Sequence, residues 1–573
     1  MKQEINKGKF KICLILVIAG VYSQPFDGLT LLTNGSGDSD VTETHLIDNS
    51  HSIINSWFHD TNPSSVAYLS PDSILFVACK QNNSGNGPQI NGRFKKMDWN
   101  GNIVWDYNLS DDLCRPHHDI AVLPNGNILA ICSEVKTREE LENAGMIIEG
   151  DPDINLARGN MDMVIEIEPV GIDEANIVWK WHFWDHLIQD IDSQLPNYGN
   201  IAENPQLLDI NSSTFNNGTP GENAGDWMHC NSIFYNPELD QIVLSSRHRS
   251  ELYIIDHSTT TEEAATHVGG LYGRGGDFLY RWGNPQNYGR GTETDQILNG
   301  QHSVNWIPSG YPGEGNIILF NNFHSPNSSS ILEIITPINE DGTYFIDNYN
   351  SYGPDSWHWI FQSSFYSAVQ SGTVRLPNGN TLITSFEEMS VFEINSAGEV
   401  VWTYQGNIVP RIAIKYPYNY FHSDNVEILN IDYIFHDGWN LVGLPVIIDN
   451  TNYHLIFPES LEGTLYSFND GYIQESEFLY GYGYWLRFES SGNVTVTGNS
   501  INQLTIELNQ GWNLISGISS EFILEDVDDS ENLIIPGTVY GFENGYVQSN
   551  SLQPGNGYWL RASGPGFITL NQN

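Results

Sequence analysis

An internal repeat constrains this chain more than any other feature. Five β-type segments share one pattern, in which an apolar anchor is followed by a turn such as PNGN, and the anchors are Leu69, Leu123, Phe234, Ile307 and Leu376. A later strand of the repeat carries tryptophan, as in GNIVWDYNL and GEVVWTYQG. Repeats of this kind are typical of a β-propeller, in which equivalent positions of successive blades converge on one central channel.

We count six blades between residues 26 and 425. The interval from Leu123 to Phe234 is about twice the others, so we expect a third blade between residues 140 and 225, with a loop excursion. An open propeller leaves unsatisfied strand edges, so we expect the early strand GLTLLTN to pair with the last blade.

A second, different repeat follows residue 430. GWNLVGLP at Gly438 returns as GWNLISGI at Gly511, and GYGYWLRF returns as GNGYWLRA. We therefore expect two small β-modules, at residues 436–510 and 511–573, with their aromatic residues in the core. The predicted fold class is all-β: a six-bladed β-propeller followed by two repeated small β-modules. Attachment to the cell surface is the role we expect for the modules.

The N-terminus and the net charge indicate an exported protein. Residues 1–23 resemble a secretory signal peptide, because lysines precede an apolar run from Ile12 to Val21 and small residues precede Gln24. That run is too short to be a comfortable membrane anchor, and no other transmembrane candidate appears. A net charge of −47 argues against nucleic acid as a partner. Periplasm, cell surface and medium all remain open as locations.

Four cysteines remain after removal of the signal, and an even number in an exported chain permits disulfides. Cys114 and Cys230 each lie near a candidate site histidine, so a bridge between them is one expectation. No zinc motif is present, and we predict no metal and no cofactor. His182 and His186 are four residues apart, a spacing that on a helix suits a metal, but we favour a lid or an aromatic packing segment.

Three histidines occupy one register of the repeat. The residues five positions before the anchors are Ser64, His118, His229, His302 and Ser371. In a propeller these positions face one another at one level of the channel. A single histidine at a strand start is usually structural, but three in register favour a catalytic site.

Two further polar residues accompany His229. Asn231 is two residues further on and therefore shares its face of the strand. Arg247 follows the next strand, where a hairpin would return it to the same channel mouth. Imidazoles, an amide and a guanidinium fork suit an anionic tetrahedral group.

These motifs together resemble the bacterial arylsulfate sulfotransferases: HHD before LPNGN, HxN with an arginine eighteen residues after the histidine, and QH before the next turn. The stretches WDHLIQD, IDHSTTTEEA, LYRWGNPQNYGRG and SGTVRLPNGNTL are similar to the wider arylsulfotransferase-like group. The resemblance covers most of residues 25–410 and excludes the C-terminal modules. A separate N-terminal β-domain that some members carry has no clear counterpart.

The resemblance implies an enzyme that moves a sulfuryl group from a phenolic sulfate donor to a phenolic acceptor without a nucleotide sulfate. It implies a ping-pong mechanism in which His302 matches the histidine that becomes transiently sulfated. His229, Asn231 and Arg247 match the residues that hold the sulfate. The HHD pair supplies the remaining histidine, and register favours His118, with His117 as the alternative.

The chemistry of these residue types fits that activity. A neutral His302 would attack sulfur, and His118 or His229 would give a proton to the departing phenol and take one from the acceptor. Phe183 and Trp184 are candidates to pack on the phenolic rings. Two other readings stay open: a sulfate-ester hydrolase on the same scaffold, and a non-enzymatic surface protein that binds a ligand.

Overall fold

The structure is a computed structural model, and it describes residues 24–34, 42–80, 92–109, 114–148, 158–212, 226–406, 408, 410–421, 428–448, 451–469, 471–529, 532–543 and 545–572. The predicted signal peptide, residues 1–23, lies outside the described residues. The chain divides into two units, residues 1–418 and 419–573. Within the described ranges no helix has the length and apolar content needed to cross a membrane.

Strands dominate the first unit. In chain order they are β1 (Gly28–Thr33), β2 (Glu43–Ile47), β3 (Ile53–Phe58), β4 (Pro63–Leu69), β5 (Leu75–Cys79), β6 (Arg93–Met97), β7 (Ile103–Asn108), β8 (Arg115–Val122), β9 (Ile128–Thr137), β10 (Arg158–Val170), β11 (Glu174–His182), β12 (Leu187–Ile188), β13 (Leu208–Asp209), β14 (Cys230–Asn236), β15 (Gln241–Ser246), β16 (Glu251–Asp256), β17 (Tyr280–Trp282), β18 (His302–Trp306), β19 (Ile317–Ser325), β20 (Ser328–Ile334), β21 (Trp359–Gln362), β22 (Gly372–Arg375), β23 (Thr381–Ser385), β24 (Ser390–Ile394), β25 (Val400–Tyr404) and β26 (Ile414–Pro417). Two short helices accompany them, α1 (Arg138–Asn143) and α2 (Thr261–Ala264).

Six four-stranded antiparallel sheets contain most of the described strands of this unit. Their strand orders are β26–β1–β2–β3, β4–β5–β6–β7, β11–β10–β9–β8, β14–β15–β16–β17, β18–β19–β20–β21 and β22–β23–β24–β25. The first sheet joins both ends of the unit, because β1 pairs with β26 from Gly28 opposite Pro417 to Leu31 opposite Ile414.

The structure corrects two details of the predicted order. The expected extra sheet between residues 140 and 225 is wrong, because the long strand β10 and its partners β9 and β11 complete the sheet that β8 begins. The early strand GLTLLT is β1, and its partner is β26, a strand beyond the last recognised repeat rather than a member of the β22–β25 sheet.

The repeated LPNGN turn explains why the same hairpin forms twice. In the first copy the Leu123 amide donates to the Asn127 carbonyl at 3.0 Å, and the Gly126 amide donates back to Leu123 at 2.9 Å. Gly126 has φ +84°, a left-handed conformation that favours glycine. The second copy repeats this pattern from Leu376 to Asn380, with Gly379 at φ +85°.

A buried tryptophan in the fourth strand ties most sheets to the next. Each indole N–H donates to a backbone carbonyl of the following sheet, either at the start of its fourth strand or a few residues before that strand. The pairs are Trp57 to Asp98 (2.8 Å), Trp105 to Glu174 (2.9 Å), Trp181 to Gly276 (2.7 Å), Trp282 to Pro354 (2.7 Å) and Trp402 to Asn49 (2.9 Å). In the fifth sheet the Trp359 ring lies 5.1 Å from the guanidinium carbon of Arg375 on β22. Trp402 joins the sixth sheet to the first.

The first strands of successive sheets also lie side by side. The Leu69 amide donates to the Tyr416 hydroxyl at 3.0 Å, which links β4 to β26. The Asp119 carboxylate of β8 accepts from Tyr68 of β4 at 3.1 Å and from the Ile233 amide of β14 at 3.2 Å. On the far side, β18 contacts both β14 and β22. The starts of these strands are therefore held close together.

The second unit contains two equivalent sets of strands. They are β27 (Ile428–Phe435), β28 (Gly438–Gly443), β29 (Val446–Ile447), β30 (Tyr466–Phe468), β31 (Tyr472–Gln474), β32 (Gly483–Phe488), β33 (Gly492–Ser500), β34 (Gln503–Leu508), β35 (Gly511–Ser516), β36 (Phe522–Ile523), β37 (Tyr540–Phe542), β38 (Tyr546–Gln548), β39 (Ser551–Leu552), β40 (Gly557–Ala562) and β41 (Gly566–Asn571), with one helix, α3 (Tyr453–Ile456).

Matching strands of the two modules form matching sheets. The order β28–β32–β30–β31 in the first module is repeated as β35–β40–β37–β38 in the second. The first module starts before the predicted residue 436, because β27 pairs along its length with β33. Trp485 and Trp559 are buried in the core as expected, whereas Trp439 and Trp512 are 41% and 42% exposed.

The four described cysteines, Cys79, Cys114, Cys132 and Cys230, are free and buried. The expected bridge between Cys114 and Cys230 is therefore wrong. Both residues serve as small apolar side chains, and they pack in two different core clusters.

We predict that Trp402→Phe lowers the free energy of unfolding of the first unit by about 1–3 kcal/mol, because the Asn49 carbonyl loses its indole donor in a buried setting. Urea unfolding followed by circular dichroism measures this. Trp184→Phe, which changes a half-buried indole of the same unit, is the control. Equal effects of the two substitutions would show that the Trp402 hydrogen bond contributes nothing.

Candidate functional site

The structure brings the three predicted histidines to the starts of neighbouring strands. His118 lies in β8, His229 directly precedes β14, and His302 begins β18. The ring centroids of His118 and His229 are 4.7 Å apart. His302 is near enough to both for their charges to act on one another. His118 and His302 are buried, and His229 is half-buried.

A β-bulge at the start of each strand directs these side chains. The pairing register shifts between Pro116 and Ile120 in β8, between Cys230 and Ser232 in β14, and between His302 and Asn305 in β18. His118 and His229 have φ of 59° and 51°, which non-glycine residues seldom adopt. Bulges and unusual backbone conformations are common beside active sites, where they aim a side chain.

The tautomer of His302 is fixed by its neighbours. Its Nδ1 lies 2.7 Å from the Asn322 amide oxygen and 3.1 Å from the Gly300 carbonyl, so Nδ1 carries the proton and donates. Burial and the nearby Arg247 lower the pKa of His302 to about 3, although the hydrogen bond that its ring donates to Asn322 acts in the opposite direction. The ring is neutral at ordinary pH, and its Nε2 carries a lone pair, which is the form a nucleophile needs.

His229 is paired with a carboxylate. Its Nδ1 donates to Asp226, and its ring stacks on His248 with centroids 4.5 Å apart. Burial alone would raise the pKa of Asp226, but the bond from His229 and the charges of His229 and His248 lower it to about 2. A carboxylate that holds one imidazole nitrogen fixes the ring and stabilises its charged form.

The structure separates the roles of the two histidines of the HHD motif. His118 faces His229, whereas the Nε2 of His117 lies 3.2 Å from Asp162. The Nδ1 atoms of His117 and His118 are 2.7 Å apart. The Nε2 of His118 is buried and has no hydrogen-bond partner among the described residues.

Arg247 and Asn231 lie beside the histidines. Arg247 follows β15, is 4% exposed, and its backbone amide donates to the His229 carbonyl at 3.1 Å. Asn231 donates from Nδ2 to the Gln301 carbonyl at 2.7 Å. Its Oδ1 is buried, and within the described part of the chain it has no hydrogen-bond partner. A polar atom of this kind is suited to a ligand that supplies the missing bond.

Arg411 is a second buried cation that the sequence argument missed. It is 7% exposed, and its charge lowers the pKa of His118 after the effects of burial and the other histidines. Burial lowers its own pKa to about 10, although Asp119 acts in the opposite direction. Arg411 precedes β26 and lies five residues before Tyr416, just as each site histidine lies five residues before the apolar anchor of its own repeat. This shared spacing could have identified Arg411 from the sequence.

The residues of the loop excursion pack into the core. Phe183 is fully buried beside Trp181 and Phe278, so the expectation that it packs on a phenolic ring is wrong. Trp184 is half-buried, with the Lys136 ammonium 4.7 Å from its ring centroid.

His182 and His186 do not share a metal. The Nδ1 of His182 lies 3.0 Å from Glu134, whereas His186 turns to Asp277 (2.8 Å) and to the Ala264 carbonyl (2.9 Å). His186 lies instead beside His267 and Asp277, whose candidate ligand atoms are within 4.8 Å of its own, so the two histidines of the predicted pair belong to different clusters. Its ring is stacked on Trp181.

The sequence matches the arylsulfotransferase (ASST) family over residues 27–403, so the chain belongs to that family. Membership supports arylsulfotransferase activity in general and small aryl compounds as substrates. No curated protein matches the sequence significantly.

Solved structures with a similar chain path include two bacterial proteins. A putative 6-phosphogluconolactonase from Bacteroides fragilis has 12% identity, with 69% of this chain and 99% of that chain covered, at a TM-score of 0.35. The virginiamycin B lyase from Staphylococcus aureus has 11% identity, with 67% and 83% covered, at a TM-score of 0.30. Likenesses this loose carry no argument about activity.

We predict that Arg411→Gln weakens the binding of sulfate to the site roughly 10- to 100-fold, because one charge-assisted hydrogen bond is worth about 1.5–3 kcal/mol. Sulfate-dependent protection against thermal unfolding measures the affinity. Arg375→Gln is the control, since it removes a half-buried guanidinium at the end of β22, the opposite end from the site. An unchanged affinity in Arg411→Gln would place this arginine outside the site.

Proposed function

We propose that the protein transfers a sulfuryl group from a phenolic sulfate to a phenolic acceptor through a sulfated His302. The observation that carries this proposal is a neutral imidazole whose Nδ1 is held by Asn322 and Gly300, in a buried group that also contains Arg247. A nucleophile beside a fixed guanidinium is what an attack on a sulfate ester requires.

The six sheets are, in this proposal, the blades of a closed six-bladed β-propeller. The order of the sheets supports it, and so does the bond from Trp402 in the sixth sheet to Asn49 in the first. The inner strands of such a propeller are the first strands of the six sheets, namely β26, β4, β8, β14, β18 and β22. Their starts then surround one channel mouth, where the three histidines and two arginines come together.

In the first half-reaction the Nε2 lone pair of His302 attacks sulfur. The N–S bond forms as the bond from sulfur to the phenolic oxygen breaks, and that oxygen leaves with the electron pair and takes up a proton from a histidine. In the second half-reaction the hydroxyl of the acceptor attacks sulfur, its proton returns to the protein, and the N–S bond breaks. Nothing is oxidised or reduced, and the donor itself supplies the sulfuryl group that is transferred.

The cationic residues have a different task. Sulfuryl transfer, like phosphoryl transfer, spreads charge over the peripheral oxygens in the transition state. Arg247 and Arg411 supply donors and positive charge for those oxygens, and His229, held by Asp226, lies beside them. Asn231 contributes its amide. Fixed donors in a water-poor site are each worth about 2.7–4 kcal/mol in the transition state.

Export and attachment complete the proposal. The lysine-rich N-terminal segment and the net charge of −47 support a secreted, periplasmic or surface location. The two C-terminal modules have their own sheets and cores and carry no residue of the site. We assign to them attachment at the cell surface.

We predict that His302→Ala abolishes acceptor-dependent release of 4-nitrophenol from 4-nitrophenyl sulfate. When the wild-type protein is incubated with the donor and no acceptor, we expect intact-mass spectrometry to find a covalent adduct of one sulfuryl group. His302→Ala abolishes this adduct. His182→Ala, which removes a half-buried histidine outside the site, keeps both signals.

Three outcomes would contradict the proposal. Release by the wild type that is independent of any acceptor would indicate a hydrolase. An adduct on another residue would reassign the nucleophile. Ligand binding without turnover, unaffected by His302→Ala, would indicate a non-enzymatic binding protein.

A further inference from the structure

Asp162, His117 and His118 form a line of hydrogen bonds that ends in the site. The Nε2 of His117 lies 3.2 Å from Asp162, and its Nδ1 lies 2.7 Å from the Nδ1 of His118. Asp162 is 1% exposed and also accepts from the Cys230 amide at 2.6 Å and the Ser133 hydroxyl at 3.3 Å. The carboxylate is therefore firmly held on β10, and it fixes the ring of His117.

We propose that this line is a proton relay, in which His118 exchanges a proton with the phenolic oxygen while His117 stores the positive charge. The inference rests on the proposed function, and it chooses His118 over His229 as the acid and base. His118 is then the catalytic residue, and His117 and Asp162 are positioning residues that act through it.

With His118 neutral, the geometry allows two protonation states of the relay. Asp162 accepts, so the Nε2 of His117 carries a proton. Only one proton fits between the two facing Nδ1 atoms. If it belongs to His118, His117 is neutral and the buried Nε2 of His118 has a lone pair. If it belongs to His117, that ring is charged, and the Nε2 of His118 carries the proton instead.

The two states differ by one proton, and they give His118 opposite roles. With neutral His117 the relay is a base, and with charged His117 it is an acid. His118 itself stays neutral in both states, because each proton gained at its Nε2 is matched by one passed from its Nδ1 to His117. The absence of a described partner for the Nε2 of His118 leaves that atom to the substrate.

Electrostatics favour storage of the charge on His117. Burial lowers the pKa of His118 well below its usual value, and His229, His117, Arg411 and His302 lower it further. Burial acts the same way on His117, but the charge and hydrogen bond of Asp162, with a contribution from Asp226, raise its pKa. A charge on His117 therefore meets carboxylates, whereas a charge on His118 would meet cations.

Each half-reaction then moves protons along the relay in one direction. As the donor phenolate leaves, its oxygen takes the proton from the Nε2 of His118, and the Nδ1 proton of His117 passes to His118. As the acceptor attacks, its hydroxyl proton goes to the Nε2 of His118, and the Nδ1 proton of His118 passes to His117. Over the full cycle the relay gives one proton to the donor phenol and regains one from the acceptor phenol.

The test compares two donors whose leaving groups differ in their need for a proton. The variant is His117→Gln, which cannot store charge, and the measured quantity is kcat/KM for the donor, which reports the first half-reaction. With phenyl sulfate the loss is about 100-fold or more, the usual contribution of a general acid. With 4-nitrophenyl sulfate, whose phenolate leaves unprotonated, the loss is less than about 10-fold.

His182→Gln is the matched control, because His182 is also a histidine bound to a carboxylate on the same sheet, and it retains activity on both donors. Equal losses on both donors in His117→Gln, or no loss on either, would overturn the relay. The adduct on His302 in the wild type tests the proposed function separately. If the wild type forms the His302 adduct but His117→Gln loses activity equally on both donors, the relay is wrong and the proposed sulfuryl transfer still stands.

Discussion

A hydrogen bond from a buried indole to a carbonyl of the neighbouring sheet is the contact on which the arrangement of the first unit depends. Four-stranded sheets of this size have apolar faces that could pack at many angles. The indole of a tryptophan in the fourth strand removes that freedom, because its N–H must find a carbonyl once it is buried. The same bond recurs from Trp57 to Trp402, and it fixes each of these sheets to the next.

Placement of these strand starts creates an unusual electrostatic environment. The chain has a net charge of −47, yet its described site gathers two arginines and several histidines out of water. Burial lowers the pKa of His118 and His302, and the neighbouring arginines lower it further. His302 is neutral for this reason, whereas Arg247 and Arg411 remain charged at any ordinary pH. Nucleophile and cation can therefore coexist.

The sequence predicted that His118, His229 and His302 lie close together, but it did not predict β26 as the first strand of a sheet. The fixed distance of five residues between each histidine and the anchor of its repeat was enough to select His118, His229 and His302. A repeat fixes both the strand on which a residue lies and its position along that strand. Arg411 escaped notice because its strand has no PNGN turn and pairs with β1, far away in the chain. The error over the third blade has a similar cause: a long interval between anchors fits an added sheet or longer strands such as β10, and spacing alone cannot separate them.

The pairing of β1 with β26 means that the first sheet cannot be completed before the last strand of the unit is available. Synthesis proceeds from the N-terminus, and pairing between distant segments is slow to form. A growing chain that has reached β25 already contains His118, His229, His302 and Arg247, but it lacks Arg411 and leaves the edge of β1 open. The strand that completes the first sheet is also preceded by the last buried cation of the candidate site. The pairing of the two ends and the position of Arg411 thus depend on the same short segment at the end of the unit.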